Sequence, residues 1–198
     1  MFIERASRYW VSAVSGKRAA QMFKEIVKQT WDWVKPSQGV RWFTDGERRY
    51  SKELWMIAAV WLTRQDLPVV YDVRKVWREG LEVAMKVKGS QGIARRVWLK
   101  AEHPWTAISL EHEVHANHCE AHNAALRRRC SAFRRRQNLY AKTLEGLKRA
   151  VAVQRLLHNW VRPHWSSGIT PAMAMRFIER ALTIEEMLLS RGFHFIPI

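Results

Sequence analysis

A chain of 198 residues with 47% hydrophobic content and 11 tryptophans can bury one sizeable core, which excludes an intrinsically disordered protein. Its 34 Lys and Arg against 18 Asp and Glu give a formal charge of +16 and a pI near 10.6, so a polyanion is the expected partner, and nucleic acid is the commonest one. Cys119 and Cys130 are too few for a disulfide framework, and no apolar run approaches the roughly 20 residues that span a bilayer, so a cytoplasmic, nucleoid-associated chain without membrane span or secretory signal is expected.

Residues 7–14 carry the aromatic and β-branched content of a strand, closed by Gly16. From Arg18 onward Ala19, Met22, Phe23, Ile26, Val27 and Thr30 recur at three-and-four spacing, which predicts an amphipathic helix ending before Lys35-Pro36. Val40 to Thr44 reads as a second strand that delivers Asp45-Gly46 at its end. Ser51 is the expected cap of a helix running through Leu54, Ile57, Ala58 and Trp61, before Asp66 and Pro68 break it. Val69 to Val73 reads as a third, buried strand, and residues 86–104 as an irregular connection. Alternating strands and helices are an α/β signature.

Everything beyond about Leu110 reads as helical: a helix around Cys119 to Arg129, a long one from Thr143 to Trp160, and two short ones. Thr170-Pro171 is a cap followed by proline at the first helical position, and Thr183-Ile184-Glu185-Glu186 fits a capping box.

The stretch from Cys119 to Arg129 sets one carboxylate into a strongly basic surface. On a helix, Glu120, Arg127 and Arg134 lie seven apart on one stripe near Asn123, while Cys119, Leu126, Cys130 and Phe133 form an apolar stripe beside it. Between Arg127 and Arg162 the basic residues are met by a single acid, Glu145, as a phosphate-contacting face requires. Glu120 as an intrahelical partner of Arg127 or Arg128 would be the bland alternative, but helix-surface pairs need a spacing of about three or four. Asp45-Gly46 read without further context is an ordinary turn.

The density of His112, His115, His118, Cys119 and His122 raises a zinc site, with His115, Cys119 and His122 able to share a helix face. Structural zinc sites usually draw their ligands from two separate elements, and the histidines read instead as partly exposed polar residues near a phosphate site. Trp10, Trp42, Trp55 and Trp61 sit in periodic apolar segments and read as core. Trp98, Trp105 and Trp165, in less regular and more basic surroundings, are the candidates for stacking on DNA bases.

The order of Ser7-Arg8-Tyr9, a helix, Thr44-Asp45-Gly46 with Tyr50 beyond it, and then Glu120-Ala121-His122-Asn123 with Leu126-Arg127, resembles the DDE-type transposases of small bacterial insertion sequences. Arg134-Arg135, Tyr140-Ala141-Lys142, His158-Asn159-Trp160 and Thr170-Pro171-Ala172 resemble the closing part of the same family's catalytic domain. The likeness implies a partial ribonuclease-H-like catalytic domain over residues 1–178, a mixed sheet flanked by helices with a mostly helical C-terminal third, and a helical tail over residues 179–198. It implies that Asp45 and Glu120 are catalytic and hold Mg²⁺ or Mn²⁺, with two ions expected, for cleavage and strand transfer of DNA by phosphoryl transfer. It further implies that Asn123, Arg127, Arg128, Arg134, Arg135 and Lys142 position the backbone of insertion-sequence ends and target DNA, and that synapsis of two ends needs at least a homodimer.

In that family the first catalytic Asp lies on a strand before the one with which this chain opens, so the expected set lacks its first strand and first carboxylate. Glu4, Asp32, Asp66 and Asp72 are not persuasive replacements by position. The alternatives to a transposase are a non-catalytic basic nucleic-acid-binding remnant and a divalent-metal nuclease of the same fold.

Overall fold

The computed structural model describes residues 1–16, 19–45, 47–63, 73–88, 94–99, 117–133 and 141–190; at positions 63, 74, 86–88, 94–99 and 117 only the backbone is described. The chain is mixed α/β, with small sheets and helices, and forms two compact units: Arg18–Ala116, and Met1–Lys17 together with Asn117–Ile198.

In the unit Arg18–Ala116, helix α1 (Ala20–Val34) buries Phe23, Ile26, Val27, Thr30 and Trp31, the stripe the spacing predicts. Its solvent side holds Asp32 between Lys28 and Lys35, so this acid is a helix-surface ion-pair partner. The C-terminal carbonyls beyond α1 are met by Arg78, which donates to Lys35 O at 2.6 Å and Ser37 O at 2.8 Å with its guanidinium over the Trp31 ring. Gly80 closes the same corner at φ +72°, a left-handed conformation natural to glycine, and a Cβ there would stand 2.0 Å from Gln38 O.

Strand β3 (Val40–Asp45) alternates as a half-buried strand should: Val40, Trp42 and Thr44 face the core, while Arg41 and Asp45 are exposed. It pairs in parallel with β6 (Leu81–Lys88), which pairs antiparallel with β7 (Ala94–Leu99), giving a mixed sheet in the order β3-β6-β7. Residues 94–99 are therefore a strand within the segment expected to be irregular. Their Val97-Trp98-Leu99 content suits a strand once β6 supplies the ladder.

Helix α2 (Arg48–Ala58) starts four residues earlier than expected. Glu47, not Ser51, is its cap, accepting from Arg49 N, and Ser51 lies inside the helix with its hydroxyl buried. The helix also stops at Ala58, because Ala59–Thr63 forms strand β4 against β5 (Val73–Trp77). Trp61 is consequently 69% exposed rather than core. Of the expected strand Val69 to Val73, only Val73 falls among the described residues.

In the other unit, β1 (Phe2–Ile3) and β2 (Trp10–Ser12) pair antiparallel across a bulge. Helix α3 (Asn117–Arg129) and a 3₁₀ turn (Ser131–Phe133) lead to α4 (Leu144–Leu156), which widens into a π-helical turn over Leu157–Val161. Two short helices follow, α5 (Pro171–Ala174) and α6 (Ile184–Leu189). Thr143, Thr170 and Thr183 cap α4, α5 and α6, and Thr183 with Glu186 completes the predicted capping box.

The core here joins Trp10, Leu126, Cys130 and Val151, with Phe133 and Leu147 packed against them. The buried line is His122 and Leu126 on α3 and Cys130 just beyond its end, spaced four apart, whereas Cys119 is only partly buried. Tyr9, Trp160 and Phe177 form a second aromatic group, with Tyr9 edge-on to both rings.

Candidate nucleic-acid interface

Asp45 stands exposed at the C-terminal end of β3, on the face opposite Trp42 and Thr44. One carboxylate oxygen accepts from Glu47 N at 3.3 Å, an Asx-type turn that leads the chain into α2. The second oxygen has no partner among the described residues. Tyr50, one turn into α2, packs edge-on against Phe23 at 5.0 Å and so belongs to the α1–α2 contact.

Glu120 lies in the first turn of α3 and is exposed, complementing the orphan N–H groups of the helix N-terminus. Asn123 and Arg127 are partly exposed and Arg128 is exposed; Arg127, Arg128 and Arg129 occupy the last turn, where positive charge suits the helix dipole. Lys142 is exposed just ahead of α4. Glu120, Asn123, Arg127, Arg128 and Lys142 thus share one unit, and Asp45 belongs to the other. Arg134, Arg135, His115 and Trp105 lie outside the described residues, as does the side chain of Trp98. Trp165 is 92% exposed, as a stacking residue would be.

The histidines depart most from expectation. His122 is not partly exposed but buried, edge-on to Trp10 at 4.4 Å between ring centroids and to His158 at 4.5 Å. Burial, and then the fields of His158, Arg129 and the Met1 amino group, push its pKa down to about 3. Burial also lowers His158, opposed by its hydrogen bond to Arg8 O at 2.9 Å and reinforced by Arg129, His164 and Arg162. Both rings are therefore neutral near pH 7. His158 shares the π-helical turn with Asn159, and both adjacent side chains bond to the strand region of Arg8 and Trp10.

The four-residue spacing of His122 with Leu126 and Cys130 is the signal that places this histidine on the apolar stripe. Nothing local in the sequence pairs it with His158, which a long chain separation brings alongside. Comparison with family models, with curated proteins and with solved structures finds no match.

Proposed function

We propose that this chain is the catalytic region of a DDE-type transposase, acting on insertion-sequence DNA by metal-dependent cleavage and strand transfer. The observation that carries the reading is Asp45: an exposed carboxylate at a strand end, held through one oxygen by Glu47 N–H with the other left for a ligand. Glu120 is exposed likewise, on a helix that ends in three consecutive arginines. Both offer oxygen donors, which fit hard Mg²⁺ or Mn²⁺ ions. Such ions would supply activation of an attacking oxygen and stabilisation of the leaving one at phosphorus.

The chain's own contribution is positioning. The Glu47 N–H fixes the Asp45 carboxylate, and α3 presents Glu120 on the helix that also carries Asn123, Arg127 and Arg128. These side chains, with Lys142 and with Arg134 and Arg135 as the resemblance implies, neutralise phosphates and set register. The mixed pairing of β3, β6 and β7 supports a ribonuclease-H-like sheet as the scaffold of this reading, and synapsis of two DNA ends would need at least a dimer. The test is strand transfer of a terminal-repeat duplex with Mg²⁺. Asp45→Asn and Glu120→Gln are each expected to abolish joining while DNA binding persists, and joining that survives either change overturns the assignment.

The exposed Trp165 and the run Arg127 to Arg129 favour a second reading, a basic nucleic-acid-binding protein without catalysis. Retained binding with no metal-dependent cleavage by the unsubstituted chain would select it. Cleavage without joining would select a divalent-metal nuclease.

A further inference from the structure

Directly opposed residues of an antiparallel pair share a face, so the register of β4 with β5 sets Ala59 with Trp77 and Trp61 with Lys75 on one side of the ribbon, which Val73, two residues before Lys75, continues. That side changes character along its length. At the α2 end Trp77 is only 5% exposed, because Trp55 of α2 packs edge-on against it at 4.6 Å between ring centroids. One pair further on, Trp61 is open to solvent, and so is Val73. Lys75 lies at the boundary, its Nζ 5.9 Å from the centroid of the half-buried Trp55 and its backbone paired with exposed Trp61. Directly opposed Cβ atoms stand about 4.5–5.5 Å apart, so one lysine is neighbour to two indoles.

The chemistry of this face restricts what can cover it. Met56 and Ile57 on α2 and Val60 on β4 are exposed as well, so apolar surface is left open where the helix passes into the strand, as at interaction sites. A protein partner would have to strip water from Lys75, and charged residues are depleted from the cores of such interfaces. β4 and β5 together carry Arg74 and Lys75 and no acid, and among the described residues no carboxylate meets Lys75. A second copy of a chain of charge +16 brings like charge to the same place. A single-stranded nucleic acid satisfies both parts of the face, since its bases offer π surfaces to an indole and its phosphates accept from an ammonium. A duplex keeps its base faces stacked and shows only edges in its grooves.

We infer that the Trp61–Lys75 face of the β4–β5 ribbon binds single-stranded nucleic acid, an unpaired base stacking on the Trp61 indole and Lys75 taking an adjacent phosphate. The surface belongs to the unit Arg18–Ala116, whereas the arginines of α3 belong to the other. It uses neither Asp45 nor Glu120 and needs no metal, so it does not rest on the transposase reading. Stacking and a phosphate contact do not read the sugar, and DNA and RNA strands share the chemistry.

The experiment titrates the full chain in EDTA with oligodeoxythymidine, oligouridine and a DNA duplex of matched length, reading affinity by fluorescence anisotropy and the Trp61 indole ¹H–¹⁵N signal by NMR. Saturable shifts of that signal are expected with the single strands and not with the duplex, a readout that needs no substitution. Trp61→Ala should weaken single-strand binding about five- to hundredfold and Trp61→Phe less, with duplex affinity unchanged. Lys75→Gln should lower the slope of log K against log salt by about 0.7, and Lys75→Arg should keep it. Lys24→Gln, the same charge change on α1, should leave the slope as it was. Because Trp61 is exposed, the urea midpoint of Trp61→Ala should match that of the unsubstituted chain. A Trp61 indole that single strands leave unshifted, or an affinity indifferent to both Trp61→Ala and Lys75→Gln, overturns the surface. A sedimenting dimer that Trp61→Ala disperses and oligodeoxythymidine does not overturns it too, and assigns the face to a second copy. Tighter binding of one oligonucleotide assigns the strand to DNA or to RNA. Asp45→Asn should bind single strands unchanged in EDTA, whereas joining requires Mg²⁺, so this surface and the Asp45–Glu120 assignment can fail separately.

Discussion

Asn159 grips Trp10 by both ends of its carboxamide: Oδ1 accepts from Trp10 N at 2.8 Å and Nδ2 donates to Trp10 O at 3.1 Å, with both residues buried. A side chain from the π-helical turn thereby takes the place of a neighbouring strand beside β2. Asn159→Ala would leave a buried N–H and C=O of Trp10 unmet, at about 1–3 kcal/mol each. The expected outcome is a loss on the order of 2–4 kcal/mol in urea unfolding, with an unchanged m-value. A loss below about 0.5 kcal/mol would mean that water replaces the carboxamide at no cost.

The neutral histidine pair makes stability depend on pH. In the unfolded chain His122 takes up a proton near its ordinary pKa of about 6.5, whereas in the fold it does so only near 3. The unfolded state therefore binds the proton first, so stability is complete above about pH 6.5 and falls as pH drops from there toward 3, by up to about 1.4 kcal/mol per pH unit per group. His158 contributes in the same direction, with Arg8, Arg129, Arg162 and His164 as the surrounding charges. The carboxylates lowered by their partners, Glu4 and Glu186, lose their contribution only as pH falls below about 4.5, so the interval from about pH 6.5 to 5 isolates the histidines. Urea midpoints measured across it should fall for the unsubstituted chain and fall less for His122→Phe. Parallel profiles would move the effect to other groups.

Gly80→Ala is expected to destabilise the unit Arg18–Ala116 by on the order of 2–3 kcal/mol, since it combines a strained positive φ with a clash against backbone. The Cβ would meet Gln38 O at 2.0 Å, and the Gly80 carbonyl accepts from Val40 N at the start of β3. Gly39→Ala, where a Cβ meets nothing within 4 Å, is the comparison and should cost little. Similar thermal midpoints for the two variants would refute the argument.

Arg127 and Arg128 should contribute to DNA affinity without choosing sequence. Replacing each by Ala is expected to lower the slope of log K against log salt by about one and to weaken specific and random duplexes alike. Fluorescence anisotropy at several salt concentrations measures this, and a slope indifferent to both changes would remove them from the interface.

Trp165 is almost wholly exposed, so Trp165→Ala should change stability by less than about 0.5 kcal/mol. If it stacks on bases, single-strand affinity should fall by about 1–3 kcal/mol. Unaltered affinity for a single-stranded oligonucleotide would leave its exposure without a nucleic-acid role.

Sequence pattern alone determined the features whose cause is local. The period of Phe23, Ile26, Val27 and Thr30 fixed α1, alternation fixed β3, and the chemistry of Thr170-Pro171 and Thr183 to Glu186 fixed two helix starts, because each depends on residues within one or two turns. The exposure of Asp45 at a strand end and of Glu120 on a helix was legible for the same reason. Only the tertiary structure decided the rest. Trp61 lies on a strand because β5 offers β4 a ladder, and residues 94–99 are a strand because β6 does so. His122 meets His158, and Asn159 meets Trp10, across separations that no spacing rule reaches. Burial then withdraws water from these groups, and that desolvation, rather than any motif, turns ordinary histidines into a neutral pair among arginines.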